Sequence, residues 1–280
     1  MRTIGLCHGV EGGAHRIARA YDIPLKELDF VCAGINHQTW YIKLSHKGKD
    51  LVPGLLKAML AHPEIARQEP VRLEILRRFG YFSTESNGHL SEYVPWFRKR
   101  KKELKRWIGP DSWINGEPGG YLRVCRESAD YFRENYEQFL RGELKEIELG
   151  SRSGEHGSYI VEALETGRAY RGHLNVWNDG AITNLPPCVI EVPCYVDRHG
   201  IQALHVGALP AQCAAVLKNT ITVQELTVEA AVTGNRELVK QAVALDPLCG
   251  AALNLEEIWA MCDEMFAALA PWLPQFKRKR

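Results

Sequence analysis

The chain has 280 residues, 45% of them hydrophobic and 25% charged, and a net charge of +1. That is enough apolar material for one large or two modest domains, and the near-neutral balance excludes a protein built mainly to bind nucleic acid. No stretch reaches the ~18 apolar residues of a membrane span, the N-terminus lacks the apolar run and cleavage site of a signal peptide, and eight scattered cysteines make no disulfide framework, so the expected compartment is the cytoplasm.

Taken in chain order, Thr3–Cys7 reads as a short buried strand. A Gly-containing turn follows, then a helix from about Ala14 to Tyr21. Strand, turn and helix in this order look like one unit of an α/β sheet. Residues 28–34 and 39–44 have strand character and flank the polar tetrad Ile35-Asn36-His37-Gln38. Helical patterns cover about 52–61 and 69–79, and 82–97 is irregular and polar-aromatic. The Gly/Pro/Trp-rich stretch 107–121 reads as loop, followed by helices at about 126–147 and 155–166. Strands at 174–176 and 189–196 are joined through the turn-prone Asn178-Asp179-Gly180. The last third is helical, at about 210–233, 235–245 and 255–271, with a break at Asp246-Pro247. The basic runs Arg98–Lys102 and Lys277–Arg280 read as solvated charge.

Three places could carry chemistry. Cys7-His8 stands at a strand end before a helix, where α/β folds place ligands and where a helix N-terminus favours the thiolate. His37 lies in a polar turn between two strands, and one imidazole with one thiolate suits a borderline metal ion. Residues 84–97 gather acids, a histidine, a tyrosine and aromatics, the mixture that sugar hydroxyls and sugar rings require. Taken singly, each has a plainer reading: a buried thiol, a hydrogen-bonded turn histidine, an anchored surface loop. His199, His205 and Cys194 stand at no recognised ligand spacing.

Together these pieces resemble glycoside hydrolase family 4, and within it the melibiase-type α-galactosidases. The matching stretches are GLCHGVEG at 5–12, CAGINHQTWYIKL at 32–44, FSTESNGHLSEYVPWF at 82–97, the run 178–215, TITVQELTVEAAVTGN at 220–235 and LEEIWAMCDEM at 255–265. The resemblance implies an α+β fold like the C-terminal domain of the lactate/malate dehydrogenase-type family 4 enzymes. That fold has a mixed or antiparallel sheet and many helices, with residues 1–25 a remnant strand and helix of a Rossmann domain and 26–280 the metal- and substrate-binding domain.

For function, the resemblance implies NAD- and manganese-dependent hydrolysis, an exception to the two-carboxylate scheme. Hydride leaves sugar C3, a base takes the C2 proton, the leaving group departs from C1, water adds and the hydride returns. Carried over residue by residue, Cys7 and His37 match the metal ligands. His8 matches the position of a general acid. Asn36 matches a sugar contact. Tyr93 is the leading candidate base, with Glu85 and His89 as alternative bases and as candidate sugar contacts. The sequence shows no Gly-rich dinucleotide loop after a strand. The expectation is therefore a truncated chain with little turnover alone, whose partners are further copies of itself or a chain that supplies the Rossmann half and restores function. The alternatives are an inactive metal- or sugar-binding fragment and an α-galacturonidase or α-glucosidase of the same family.

Overall fold

A computed structural model describes residues 3–108, 120–143 and 156–276. At the N-terminus only Gly5 of the expected strand is paired, in a single antiparallel bridge to Asn175. The first helix, α1 (Gly9–Ala20), starts well before the expected Ala14. The glycines that read as a loop are helical, and one of them is required. A Cβ at Gly13 would lie 2.4 Å from Tyr41 Oη and 2.9 Å from Arg72 Nη2, so the helix can approach the sheet only there without a side chain.

The hairpin β1 (Leu28–Ile35) and β2 (Gln38–His46) follows, closed by a two-residue turn in which His37 has φ 62°. A short β3 (Lys49–Asp50) pairs with β2, and three helices follow: α2 (Leu55–Ala61), α3 (Pro63–Gln68) and α4 (Pro70–Phe79). The stretch expected to be irregular holds two short elements, β4 (Phe82–Ser83) on β2 and α5 (Asn87–Glu92), capped by Ser86. Next come α6 (Lys101–Trp107), α7 (Gly120–Leu140) and α8 (His156–Thr166). The long helix thus begins before the expected residue 126, and the centre of the expected loop at 107–121 lies outside the described residues.

Strands β5 (Tyr170–Trp177), β6 (Val189–Asp197) and β7 (Gly200–Ala203) complete the sheet. Its order is β3-β2-β1-β6-β5, with β4 on β2 and β7 on β6, and the named strands pair antiparallel. The last helices are α9 (Ala211–Thr233), α10 (Arg236–Leu245), α11 (Pro247–Ala252) and α12 (Leu255–Ala268). Their ends follow local chemistry. Gly234 closes α9 in the left-handed conformation, Asn235 and Asp246 cap the next two helices, and Asn254 with Glu257 forms a capping box. Among the described residues no helix is long and apolar enough to cross a membrane.

Both faces of the sheet are covered. Cys32, Tyr41 and Leu44 point into a core with Val10, Ala14 and Ile17 of α1 and Leu55 and Met59 of α2. Ala33, Ile35 and Trp40 point to the other side and join Leu174, Ile190 and Val192 beneath Cys213 and Leu217 of α9. The alternation is the period-2 signature of a strand.

One buried histidine makes the fold acid-sensitive. His173 on β5 is buried, and its Nε2 accepts the Cys32 N–H at 3.1 Å, so the ring is neutral. Burial first, then the neighbouring Arg171 and His156, holds its pKa down at about 3. The unfolded chain takes up that proton near pH 6.5. Stability is therefore complete above the unfolded value and is lost as pH falls from there toward the folded one. The expected loss is about 2 kcal/mol by about pH 5. Urea titrations of wild type and His173→Gln should diverge between about pH 7 and about pH 5, and parallel curves would reject the assignment.

Candidate metal centre

Three side chains from separate segments converge at the tip of the β1–β2 hairpin. Donor atoms of Cys7, His37 and Glu85 all lie within 4.8 Å of one another. Cys7 precedes α1, and the Gly9 N–H points at its Sγ from 3.4 Å. The helix N-terminus therefore favours a thiolate, as the sequence suggests. Burial outweighs that amide, and neighbouring acids, Glu85 and Glu11 among them, add to it, so the thiol is pushed up to about 11.

Glu85 reaches the tip because of sheet register. Tyr41 pairs with Phe82, Trp40 pairs with Ser83, and Thr84 N–H donates to Thr39 O at 2.9 Å. The next residue on that path stands beside the turn. Its Oε2 bonds His37 Nδ1 and lies 3.9 Å from Cys7 Sγ, while its Oε1 accepts the Ser86 N–H at 2.8 Å. Burial disfavours the Glu85 carboxylate, yet His37, the Ser86 amide and His89 outweigh it and hold the pKa at about 2. The same bond raises the pKa of His37 against the opposing effect of burial.

Behind Glu85 stands an ion-pair lattice. Arg72 of α4 is 1% exposed. Its Nη2 donates to Ser83 O at 2.6 Å and to Thr84 O at 3.2 Å, and its Nη1 lies 3.3 Å from Glu69 Oε2. Its guanidinium also sits 4.1 Å from the Phe82 ring centroid. Arg72 thus fixes the backbone just before Glu85.

Around the three donors lie other residues singled out in the sequence. The His89 ring is 5.4 Å from that of His37, and the Tyr93 ring stacks on His37 at 5.8 Å. Gln38 Nε2 donates to Tyr93 O at 3.4 Å, tying that loop to the hairpin. Burial, Glu85 and Glu92 raise the Tyr93 phenol pKa. Asn36 shares the turn with His37, and exposed His8 follows Cys7. His199 and His205 lie elsewhere, in an open cleft with Trp177 and Asp179. Sequence reasoning placed Glu85 near the sugar and missed it as a third donor, since only the β2–β4 register reveals that position.

Two further residues went unnoticed, Glu191 of β6 and its cross-strand partner Asn175 of β5. Glu191 is 1% exposed, and its Oε2 lies 2.6 Å from Thr39 Oγ1. Glu191 Oε1 and both amide atoms of Asn175 lack hydrogen-bond partners among the described residues. Burial pushes the Glu191 pKa up to about 7, against the pull of Thr39 and His37.

The donor set of one sulfur, one imidazole nitrogen and one carboxylate oxygen mixes soft and hard ligands, suits a divalent first-row transition-metal cation, and leaves coordination positions open.

The family 4 glycosyl hydrolase C-terminal domain matches residues 32–249. An α-galactosidase of Rhizobium meliloti (strain 1021) is 50% identical over 98% of this chain and 56% of its own length. An α-galactosidase of Bacillus subtilis (strain 168) is 37% identical over 99% of the chain and 62% of its own length. A 6-phospho-α-glucosidase from gut microorganisms, solved with NAD and Mn²⁺, superposes with a TM-score of 0.74 at 18% identity over 98% of this chain and 62% of that one. The chain spans less than two thirds of these relatives, and it belongs to the family 4 glycosyl hydrolases.

Proposed function

We propose that the chain is the metal- and sugar-binding part of an α-galactoside hydrolase that uses a divalent cation and NAD. The observation that carries this reading is the Cys7–His37–Glu85 donor cluster in a chain half identical to an α-galactosidase. Cys7, His37 and Glu85 would hold the cation. When bound, the cation supplies Lewis acidity toward neighbouring sugar oxygens, and NAD supplies a hydride acceptor.

The chain's own residues do the rest. Tyr93, stacked on His37, is the proton acceptor in its phenolate form, which burial and the neighbouring acids disfavour and a cation held beside it would favour. His8, next to Cys7 and open to solvent, gives a proton to the leaving group. Asn36, beside His37 in the turn, and His89, whose ring lies 5.4 Å from that of His37, bind sugar hydroxyls. Glu85 contacts His37 at Nδ1 and so holds the ring at the tip of the hairpin, within reach of Cys7.

The test is release of p-nitrophenol from p-nitrophenyl α-D-galactoside by the chain mixed with the N-terminal portion of the R. meliloti α-galactosidase, NAD⁺ and Mn²⁺. Turnover is expected only with all components present. Tyr93→Phe should lower kcat by at least about 100-fold and leave Mn²⁺ affinity intact. Hydrolysis that continues without NAD⁺, or a preference for an α-galacturonide, overturns the reading.

A further inference from the structure

The β1–β2 hairpin that presents His37 is held from behind by one residue of β6. Thr39, two residues after His37, is buried, and its Oγ1 lies between two oxygens: Ile35 O at 2.9 Å and Glu191 Oε2 at 2.6 Å. Ile35 O can only accept. The hydroxyl has one proton, so it can serve only one of these neighbours. If it closes the turn by donating to Ile35 O, the proton in the shorter contact has to come from Glu191.

Burial points the same way. Glu191 is 1% exposed, and its other oxygen has no partner among the described residues. His37, a basic group that acts on it, is already engaged by the Glu85 carboxylate. A carboxylate in that position would be a buried, nearly unpaired charge, which is costly. A carboxylic acid there is a neutral group with one good hydrogen bond.

The framework also favours a latch at this point. Gly34 pairs with Glu191 across the β1–β6 junction, and Asn175 pairs with it from β5. A Cβ at Gly34 would sit 2.3 Å from Gln38 O, so the hairpin is pinched where Glu191 meets it. Nothing bulkier than glycine fits between the latch and the turn.

We propose that Glu191 is an uncharged carboxylic acid whose hydroxyl donates to Thr39 Oγ1, and that this bond is the positioning latch that aims His37 at the metal. Glu191 acts through Thr39 and the turn. The raised Glu191 pKa agrees with this protonation state. The part concerning the metal rests on the proposed cation site, whereas the protonation state does not.

Two readouts separate these parts. At about pH 6 the infrared difference spectrum between wild type and Glu191→Gln should show the C=O stretch of one carboxylic acid missing from the variant. An ionised-carboxylate band in its place overturns the proposal. Mn²⁺ titration of the 280-residue chain gives the second readout. Glu191→Gln keeps a neutral donor and should hold the Mn²⁺ Kd within about twofold, while Glu191→Ala and Thr39→Val should weaken it by about 10-fold or more. A Gln variant that loses Mn²⁺ like the Ala variant, or that fails to fold, overturns the proposal, because a neutral isostere should be accepted. If wild type itself binds no Mn²⁺, the cation reading fails and the infrared result still decides the latch.

Discussion

Replacing Arg72 with methionine is expected to cost the fold about 3–5 kcal/mol and to free Glu85 from the donor cluster. The guanidinium is buried and holds two backbone carbonyls, Ser83 O and Thr84 O, besides facing Glu69. Methionine can fill the volume but cannot donate. The two carbonyls would be left without their donor, and Glu69 would keep only the half-exposed Arg16 as a partner. Arg72→Lys should recover little, since a single ammonium cannot span two carbonyls and a carboxylate as a planar fork does. The check is a urea titration, in which the midpoint should fall with an unchanged slope. A loss below about 1 kcal/mol would show the lattice to be incidental. The variant should also bind Mn²⁺ more weakly, because Glu85 follows directly on the carbonyls that Arg72 holds.

Cys7→Ala and His37→Ala should each weaken Mn²⁺ binding by at least about 100-fold, the upper end of what losing even an outer partner of a metal ligand costs. Neither change should destabilise the chain much, since both side chains are only half-buried and Cys7 precedes the first helix. Glu85→Gln removes a carboxylate donor and the anion that fixes the His37 ring, so a loss of similar size is expected. Because the three groups act together, the double variant Cys7→Ala/Glu85→Gln should lose less than the sum of the single losses. Calorimetric titration of the metal-free protein measures all four. Unchanged affinity in Cys7→Ala would refute its role as a ligand.

The strands of the sheet were legible as short apolar runs bounded by turn residues, as in Leu28–Ile35 and Val189–Asp197. The C-terminal helices were legible as long helical patterns, with the break between α10 and α11 marked by Asp246-Pro247. The start of α1 was not. Glycine is a poor helix former, and its use at position 13 answers to Tyr41 and Arg72, which are distant in sequence. The same limit applied to the site. Cys7 and His37 stood out through residue type and through the resemblance. Glu85 looked like one acid among several until the pairing of β4 on β2 placed it, and Glu191 sat in an apolar strand with nothing local to mark it. Side chains that matter through long-range partners carry no signature in their own segment.

The sequence distances between these groups have a consequence for partly folded forms of the chain. His37 and Glu85 are 48 residues apart, whereas Thr39 and Glu191 are 152 apart. Closing the longer loop costs about 1 kcal/mol more chain entropy than closing the shorter one. The donor cluster is thus a local assembly of the first hundred residues, and its clamp arrives from the far half of the chain. A form in which β5 and β6 have come away can keep all three donors close together while losing the grip that aims His37.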